Sequence, residues 1–305
     1  MTKASFEILL YHGVLPDGLD AGLYNSSGKH ISEGAFGEHL NYLANNFHFV
    51  SMHQICDAIC GKASLPDKAV AITFDDGFLN NFTTAWPLLR KYRAPATIYL
   101  ATGFIGTGRR IWTDALEAAI LSTTESCLTL EQMKAPLTFG LGSGAERVNC
   151  LKILKSTCKQ ISSRERDLIV SEVLTKLGDG DVPDPLLSDF MDWDQVRKMN
   201  ESHLIDFGAH TVDHESLTKI SWSEMHHQIK RSLDDVATEI GHAVRLFSYP
   251  EGQETDFDEN VIGVLKDLNL KHAPSAIAGT NRLLETDPFT LRRRMVGFEG
   301  AAFPL

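Results

Sequence analysis

Val70-Ala71-Ile72-Thr73-Phe74-Asp75-Asp76-Gly77 is an apolar run that stops at two carboxylates and a glycine. Such a short run, rich in branched and aromatic residues, reads as a buried strand whose carboxyl end opens into a loop. A helical pattern follows from Asn80 to Tyr92, and a further apolar run from Ala96 to Leu100 reads as the next strand. Strand, helix and strand at this spacing predict parallel neighbours joined by a right-handed crossover. The same alternation extends to both sides. Phe6 to Tyr11 reads as the first strand, and Phe36, Leu40, Leu43 and Phe47 mark a helix at spacings of three and four. Further on come a helix from Trp193 to Met199, a strand from Leu204 to Phe207 and a helix from Ser221 to Ile240. Ser221 and Glu224 form the pattern of a capping box at the start of that helix. The remaining elements are a strand from Leu246 to Tyr249, a helix from Asp258 to Leu268, and strands from Lys271 to Ala276 and Leu291 to Val296. About seven strands predict an α/β chain folded as a distorted (β/α)7-type barrel.

Between Trp112 and Phe190 the apolar residues recur at helical spacing, interrupted by glycines at 140–144 and 178–180. Residues 112–190 therefore read as a helical insertion within one domain spanning 1–305, with packing as its simplest role. The 305 residues include 43% hydrophobic and 23% charged side chains, enough for a sizeable core. A formal charge of −11 disfavours nucleic acid and anionic lipid as partners. Neutral or cationic substrates suit it better. No apolar stretch approaches the length of a membrane span. Met1 to Leu10 lacks the length and cleavage site of a signal peptide. Cys56, Cys60, Cys127, Cys150 and Cys158 form no CxxC pair, which suits reduced thiols in a cytoplasmic protein; a leader removed beforehand is the alternative.

The second chemistry-bearing stretch is His210-Thr211-Val212-Asp213-His214, which also closes an apolar run. Two imidazoles and a carboxylate meeting at a barrel mouth form a typical ligand set for a catalytic metal with one position left for water. Asp76, His210 and His214 supply that set. Adjacent residues on an extended strand point opposite ways, so Asp75 is free to act as a base. Taken alone, an Asp-Asp-Gly triplet is a turn and a His-x-x-x-His pair is a solvated helix face. Each motif following a strand makes the joint reading the stronger one.

These motifs resemble those of the NodB-homology polysaccharide deacetylases, the family-4 carbohydrate esterases. Thr73-Phe74-Asp75-Asp76-Gly77 matches the first motif, and the stretch from His210 to His214 the second. Phe247-Ser248-Tyr249-Pro250-Glu251-Gly252 falls where the third belongs, and Asp287-Pro288-Phe289-Thr290-Leu291-Arg292-Arg293 is similar to a late signature of one branch. That branch opens with Tyr-His-x-Val, present here as Tyr11-His12-Gly13-Val14. The resemblance runs from Tyr11 to about Val296. It implies metal-dependent removal of N-acetyl groups from an amino-sugar glycan or glycan precursor, releasing acetate. Zinc suits the ligand set, with Co2+, Ni2+ or Fe2+ as alternatives. It implies Asp75 as the base and the backbone N–H of Glu251 as an oxyanion donor.

The chain departs from the family at two points. Many members have arginine where Ser248 stands and an aromatic where Glu251 stands. Arg293 is the candidate replacement for orienting Asp75, against the alternative of a surface arginine in the run from Arg292 to Arg294. The family's usual acid, a late histidine, has no counterpart after His272. His12 is the candidate acid, since an imidazole titrates near working pH; otherwise it only caps a strand. His272 is the runner-up, and Asp213 a possible partner for either metal histidine. Trp112 and Trp193 read as core residues rather than sugar platforms. A small non-sugar amide as substrate, or a non-catalytic carbohydrate-binding relative, are the competing readings of the chain.

Overall fold

The computed structural model describes residues 5–133, 135–298 and 303. In chain order the strands and helices are β1 (Ser5–Tyr11), β2 (Gly13–Leu15), β3 (His30–Ser32), α1 (Glu33–Asn46), β4 (His48–Phe49), α2 (Met52–Ile59), β5 (Ala69–Phe74), α3 (Trp86–Tyr92) and β6 (Ala96–Leu100). Then come α4 (Trp112–Ser122), β7 (Cys127–Leu130), β8 (Leu137–Gly140), α5 (Gly144–Cys158) and α6 (Ser163–Leu177). The chain continues with α7 (Trp193–Asn200), β9 (Ile205–Ala209), α8 (Trp222–Ile240), α9 (Glu259–Asp267), β10 (Asn281–Arg282) and β11 (Arg294–Met295). Two compact units divide these elements. One takes the chain up to Leu19, Ser27–Gly108 and everything from Phe190 onward; the other takes Asp20–Ser26 and Arg109–Asp189.

The first unit is built on a sheet in the order β10-β1-β5-β6-β9, with β11 also paired to β1 and β4 to β5. Strands β1, β5, β6 and β9 run parallel, and β10 lies antiparallel to β1. All six residues of β5 are buried, as expected of a strand covered on both faces. Alternation sorts the side chains. Leu9, Tyr11, Ile72, Phe74, Ile98 and Leu100 pack with Phe36 and Leu40 of α1, Leu89 of α3 and Val196 of α7. The opposite parity, Phe6, Ile8, Ala69, Ala71 and Tyr99, packs with Met52, Ile55 and Ala58 of α2. Gly208 lets β9 come close to β6, since a Cβ there would sit 2.5 Å from the Tyr99 ring.

The α/β reading holds, with a mostly parallel sheet and surrounding helices, but three expected strands are reduced. Residues 246–249 join the sheet by one parallel bridge, Ala209 to Phe247, and residues 271–276 form one isolated bridge, Pro274 to Leu291, outside the sheet's strands. The last strand shrinks to Arg294–Met295. Proline supplies no ladder N–H; Pro250 follows the first segment and Pro274 stands in the second. Nor did periodicity mark the two-residue strands β4 and β10 or the β2–β3 pair. The helix expected from Asn80 opens as a π-type turn over Asn81–Ala85 before α3. At α8, Ser221 accepts the Glu224 backbone N–H, but the Glu224 carboxylate turns to Gln228 instead of closing the capping box.

The second unit corrects a purely helical reading of residues 112–190. Helices α4, α5 and α6 share their core with an antiparallel hairpin, β7 paired to β8. Leu128, Leu130 and Phe139 of the hairpin pack with Leu116 and Ile120 of α4, Leu151 and Leu154 of α5, and Ile169 and Val173 of α6. Capping boxes at Ser143/Glu146 and Ser162/Glu165 start α5 and α6. Trp112 stacks against the Arg166 guanidinium within this unit.

Candidate active site

The carboxyl ends of β5 and β9 bring the two motifs together. Asp75 and Asp76 leave β5 by different backbone paths, because Asp76 is left-handed at φ 76° and Gly77 at φ 90°. The simple expectation that an extended strand would send the two carboxylates apart is therefore wrong. Both reach His210 Nε2, Asp76 Oδ1 at 3.6 Å and Asp75 Oδ2 at 3.9 Å. His214 Nε2 lies 3.2 Å from Asp76 Oδ1. Thr211 and His214 are left-handed too, at φ 63° and 54°. Non-glycine residues in that region cost on the order of 1–3 kcal/mol each and cluster at functional sites.

Asp75 is held by Arg293. The guanidinium donates Nη1 to Oδ1 at 2.8 Å and Nη2 to Oδ2 at 2.7 Å, a bidentate pair with Arg293 at 0% exposure. It is not the surface arginine of a basic run. Its Nε donates to the Ser275 carbonyl at 2.6 Å, its Nη2 to Ser248 Oγ at 2.9 Å and its Nη1 to Thr73 Oγ1 at 3.3 Å. Burial pushes the Asp75 carboxyl up, but the adjacent guanidinium outweighs it and leaves the group below its ordinary range. Ser248 thus stands where its small side chain admits the guanidinium arriving from Arg293, and the Ser248 hydroxyl braces it.

His210 is fixed at its other nitrogen, where Nδ1 donates to the Ser248 carbonyl at 2.8 Å. That bond sets the tautomer and leaves the Nε2 lone pair facing Asp76. Burial lowers the His210 pKa to about 4 against the pull of Asp75, so the ring is neutral. For His214 burial also disfavours the charge, but Asp76 outweighs it and raises the pKa. Asp76 in turn is held far below its ordinary value, the two imidazoles and His12 overcoming burial. Asp213, expected near a metal histidine, accepts from Gln228 at 2.8 Å. It serves neither ring at Nδ1, since His214 Nδ1 is buried without a hydrogen-bond partner and His210 Nδ1 is taken by Ser248.

The donor set fits a cation. Asp76, His210 and His214 each offer a ligand atom within 4.8 Å of the others, the one such group among the described residues. Asp76 Oδ1 is buried and accepts no hydrogen bond. An anionic oxygen left that way is costly, and a divalent ion shared with the two imidazoles would remove the cost.

His12 follows β1 at the same end of the sheet. Its Nδ1 is buried without a hydrogen-bond partner, so the ring does not cap a strand through that atom. Its ring edge meets Phe298 at 5.1 Å between centroids, and burial lowers its pKa while Asp76 and Asp75 pull it up. Glu251 lies in the third-motif loop at φ 60°, and its charge reaches His214. The loop is tied down by the Ala276 N–H donating to the Gly252 carbonyl at 2.9 Å. His272 is placed elsewhere. It is fully buried, neither ring nitrogen has a partner, and its electrostatic neighbour is His53 on α2. Trp193 packs at the edge of the main core. The residues that composition and motif did not reveal are Ser275 and Gln228, which act through a carbonyl and an amide, while Ser248 stood in the third motif without its contacts being legible.

A family model described as polysaccharide deacetylase matches residues 62–273. The chain belongs to that family. Among curated proteins, YxkH of Bacillus subtilis (strain 168) is 26% identical over 167 residues, which cover 54% of this chain and 50% of YxkH. The poly-beta-1,6-N-acetyl-D-glucosamine N-deacetylase of Escherichia coli (strain K12) is 42% identical over 52 residues, 17% of this chain and 8% of that protein. This chain therefore spans half or less of the length of those relatives. Among solved structures, the Streptococcus pyogenes deacetylase PplD in complex with acetate superposes with a TM-score of 0.63 at 17% identity, covering 97% of this chain and 94% of PplD. That likeness is one of fold.

Proposed function

We propose that this protein is a metal-dependent hydrolase that removes N-acetyl groups from an amino-sugar glycan and releases acetate. The observation that carries the reading is the buried Arg293–Asp75 pair standing beside Asp76, His210 and His214. A metal site alone has no need of a second, separately braced carboxylate. A divalent cation at Asp76, His210 and His214, zinc by preference for this donor set, supplies a Lewis acid for an acyl carbonyl and brings the pKa of a water toward about 7.

Asp75 takes the proton from the attacking water. Arg293 keeps Asp75 ionised and fixes the direction of its lone pairs through two hydrogen bonds. The Glu251 backbone N–H stabilises the oxyanion, a kind of donor whose loss costs about 100- to 1000-fold in rate. His12, which follows β1 at the same end of the sheet, protonates the departing amine. A glycan substrate is supported by family membership and by the E. coli relative, which is named for its action on poly-beta-1,6-N-acetyl-D-glucosamine. The charge of −11 favours a product that gains a cationic amine. No helix among the described residues is long and apolar enough to cross a membrane. The second unit, in this reading, is an insertion in one catalytic domain.

The test is metal analysis of the purified protein together with acetate release from N-acetylglucosamine oligomers, with and without chelator. Acetate release that chelator stops and zinc restores is the expected result. Bound metal without acetate would redirect the reading to a different amide, and a protein that takes up no divalent metal would sink it.

A further inference from the structure

The two histidines of the candidate metal centre are held by different means. His210 is fixed through its ring, by Nδ1 donating to the Ser248 carbonyl. The His214 ring has no such tether, since its Nδ1 makes no hydrogen bond. Its aim depends on the backbone of the loop 211–214, which bends through left-handed residues at Thr211 and His214. On one side that loop is tied to the chain after β6, where the Thr102 and Gly103 N–H groups donate to the Thr211 and Val212 carbonyls at 3.1 and 2.8 Å. On the other side it is tied by a side chain of α8. Gln228 of α8 is 2% exposed, and its Oε1 accepts the backbone N–H groups of Val212 and Asp213, each at 2.9 Å. Its Nε2 donates to Asp213 Oδ2 at 2.8 Å and to Glu224 Oε1 at 3.0 Å. Two main-chain donors on one atom and two carboxylates on the other fix the amide's orientation.

We propose that Gln228 is the positioning residue for His214, holding the loop in the one backbone shape that presents the imidazole to a divalent metal. The proposal rests on reading Asp76, His210 and His214 as that metal's ligands. A glutamine suits the place because it offers an acceptor to the loop and a donor to Asp213 in one neutral group. An aliphatic residue there takes the acceptor from two part-buried N–H groups and the donor from Asp213 and Glu224. Outer partners of this kind typically set metal affinity by about 10- to 100-fold.

The experiment measures Zn2+ affinity by competition with a chromophoric chelator, and the Co2+ absorption spectrum, on the full chain. Gln228→Leu should bind Zn2+ about 10- to 100-fold more weakly than the native chain and give an altered Co2+ spectrum. Gln228→Glu, which keeps the acceptors but sets like charge against Asp213 and Glu224, should also weaken binding, and serves if Gln228→Leu does not fold. The double variant Asp213→Asn, Gln228→Glu reverses donor and acceptor across the same contact and should recover most of the affinity. A role confined to general packing would lower the melting temperature of the metal-free variants while leaving affinity unchanged. Native-like affinity in Gln228→Leu or Gln228→Glu would overturn the proposal and leave the metal centre standing. Failure of the native chain to bind Zn2+ or Co2+ would overturn both.

Discussion

The two halves of the first unit reach the same site by opposite routes. Strands β1, β5, β6 and β9 pair over runs of backbone, and Asp75, Asp76 and His210 are simply the first residues past the ends of β5 and β9. Residues 246–296 pair through single bridges and two two-residue strands, β10 and β11. Two of their carbonyls are given to side chains of the site, Ser248 to His210 and Ser275 to Arg293. The regular half supplies the reactive groups, and the irregular half supplies the groups that aim them. A ladder that used every main-chain group would leave few acceptors for an imidazole and a guanidinium.

The comparison breaks most visibly where the halves meet, at Asp75 and Arg293. Asp75→Asn should retain stoichiometric zinc while turnover falls about 100- to 10,000-fold, the range of a lost general base. Metal content and acetate release measured on one preparation decide it, and parallel loss of zinc would make Asp75 a ligand instead. Arg293→Leu leaves a buried carboxylate without its partner, which should cost about 3–5 kcal/mol in denaturant unfolding. Turnover should fall with it, because Asp75 then loses both ionisation and aim. A variant as stable as the native chain would show that the pair is not closed in solution.

Next in size is a cost confined to the irregular half. His272 is fully buried with no partner at either nitrogen, and burial lowers its pKa to about 4. The unfolded chain protonates near 6.5. The native state, which binds fewer protons between these values, therefore keeps its full stability above about 6.5 and loses it as the pH falls toward 4. The loss is on the order of 3 kcal/mol. Unfolding followed from pH 7 to pH 4 should show a steeper decline in the native chain than in His272→Leu. Equal slopes would assign acid sensitivity elsewhere.

The contrast also explains what the sequence made legible. Residues 96–100 and the strand ending at Phe74 are continuous apolar runs, and periodicity locates them because burial on both faces leaves no other composition. The segments around Pro250 and Pro274 also read as strands, but their pairing depends on which carbonyls the site claims, and that is a property of the fold. The β7–β8 hairpin did carry a signal, Cys127-Leu128-Thr129-Leu130 alternating with period two, obscured by the helical runs on either side. In the site, the titratable residues announce themselves by type and spacing. Gln228 does not, because a glutamine on an amphipathic helix reads as solvated. Its clue is position, on the stripe of α8 that also holds Met225, Ile229, Ser232 and Val236 in the buried face. Arg293 read from the sequence either as the partner of Asp75 or as one of three consecutive surface arginines, and burial is what separates it from Arg292 and Arg294.

The smallest expected effect sharpens the comparison furthest, because it separates a backbone contribution from a side-chain one at a single residue. Ser248 aims His210 with its carbonyl and braces Arg293 with its hydroxyl. Ser248→Ala removes only the second. It should cost about 1 kcal/mol of stability, the net worth of one hydrogen bond, and should lower turnover severalfold through a looser Asp75 while leaving zinc affinity unchanged. Zinc affinity is the discriminating readout, since the carbonyl that fixes His210 survives the substitution. If Ser248→Ala lost zinc as readily as a variant of His210 itself, the hydroxyl would belong to the metal side of the site, and the division between reactive strand ends and aiming backbone would fail at the residue where it is most sharply drawn.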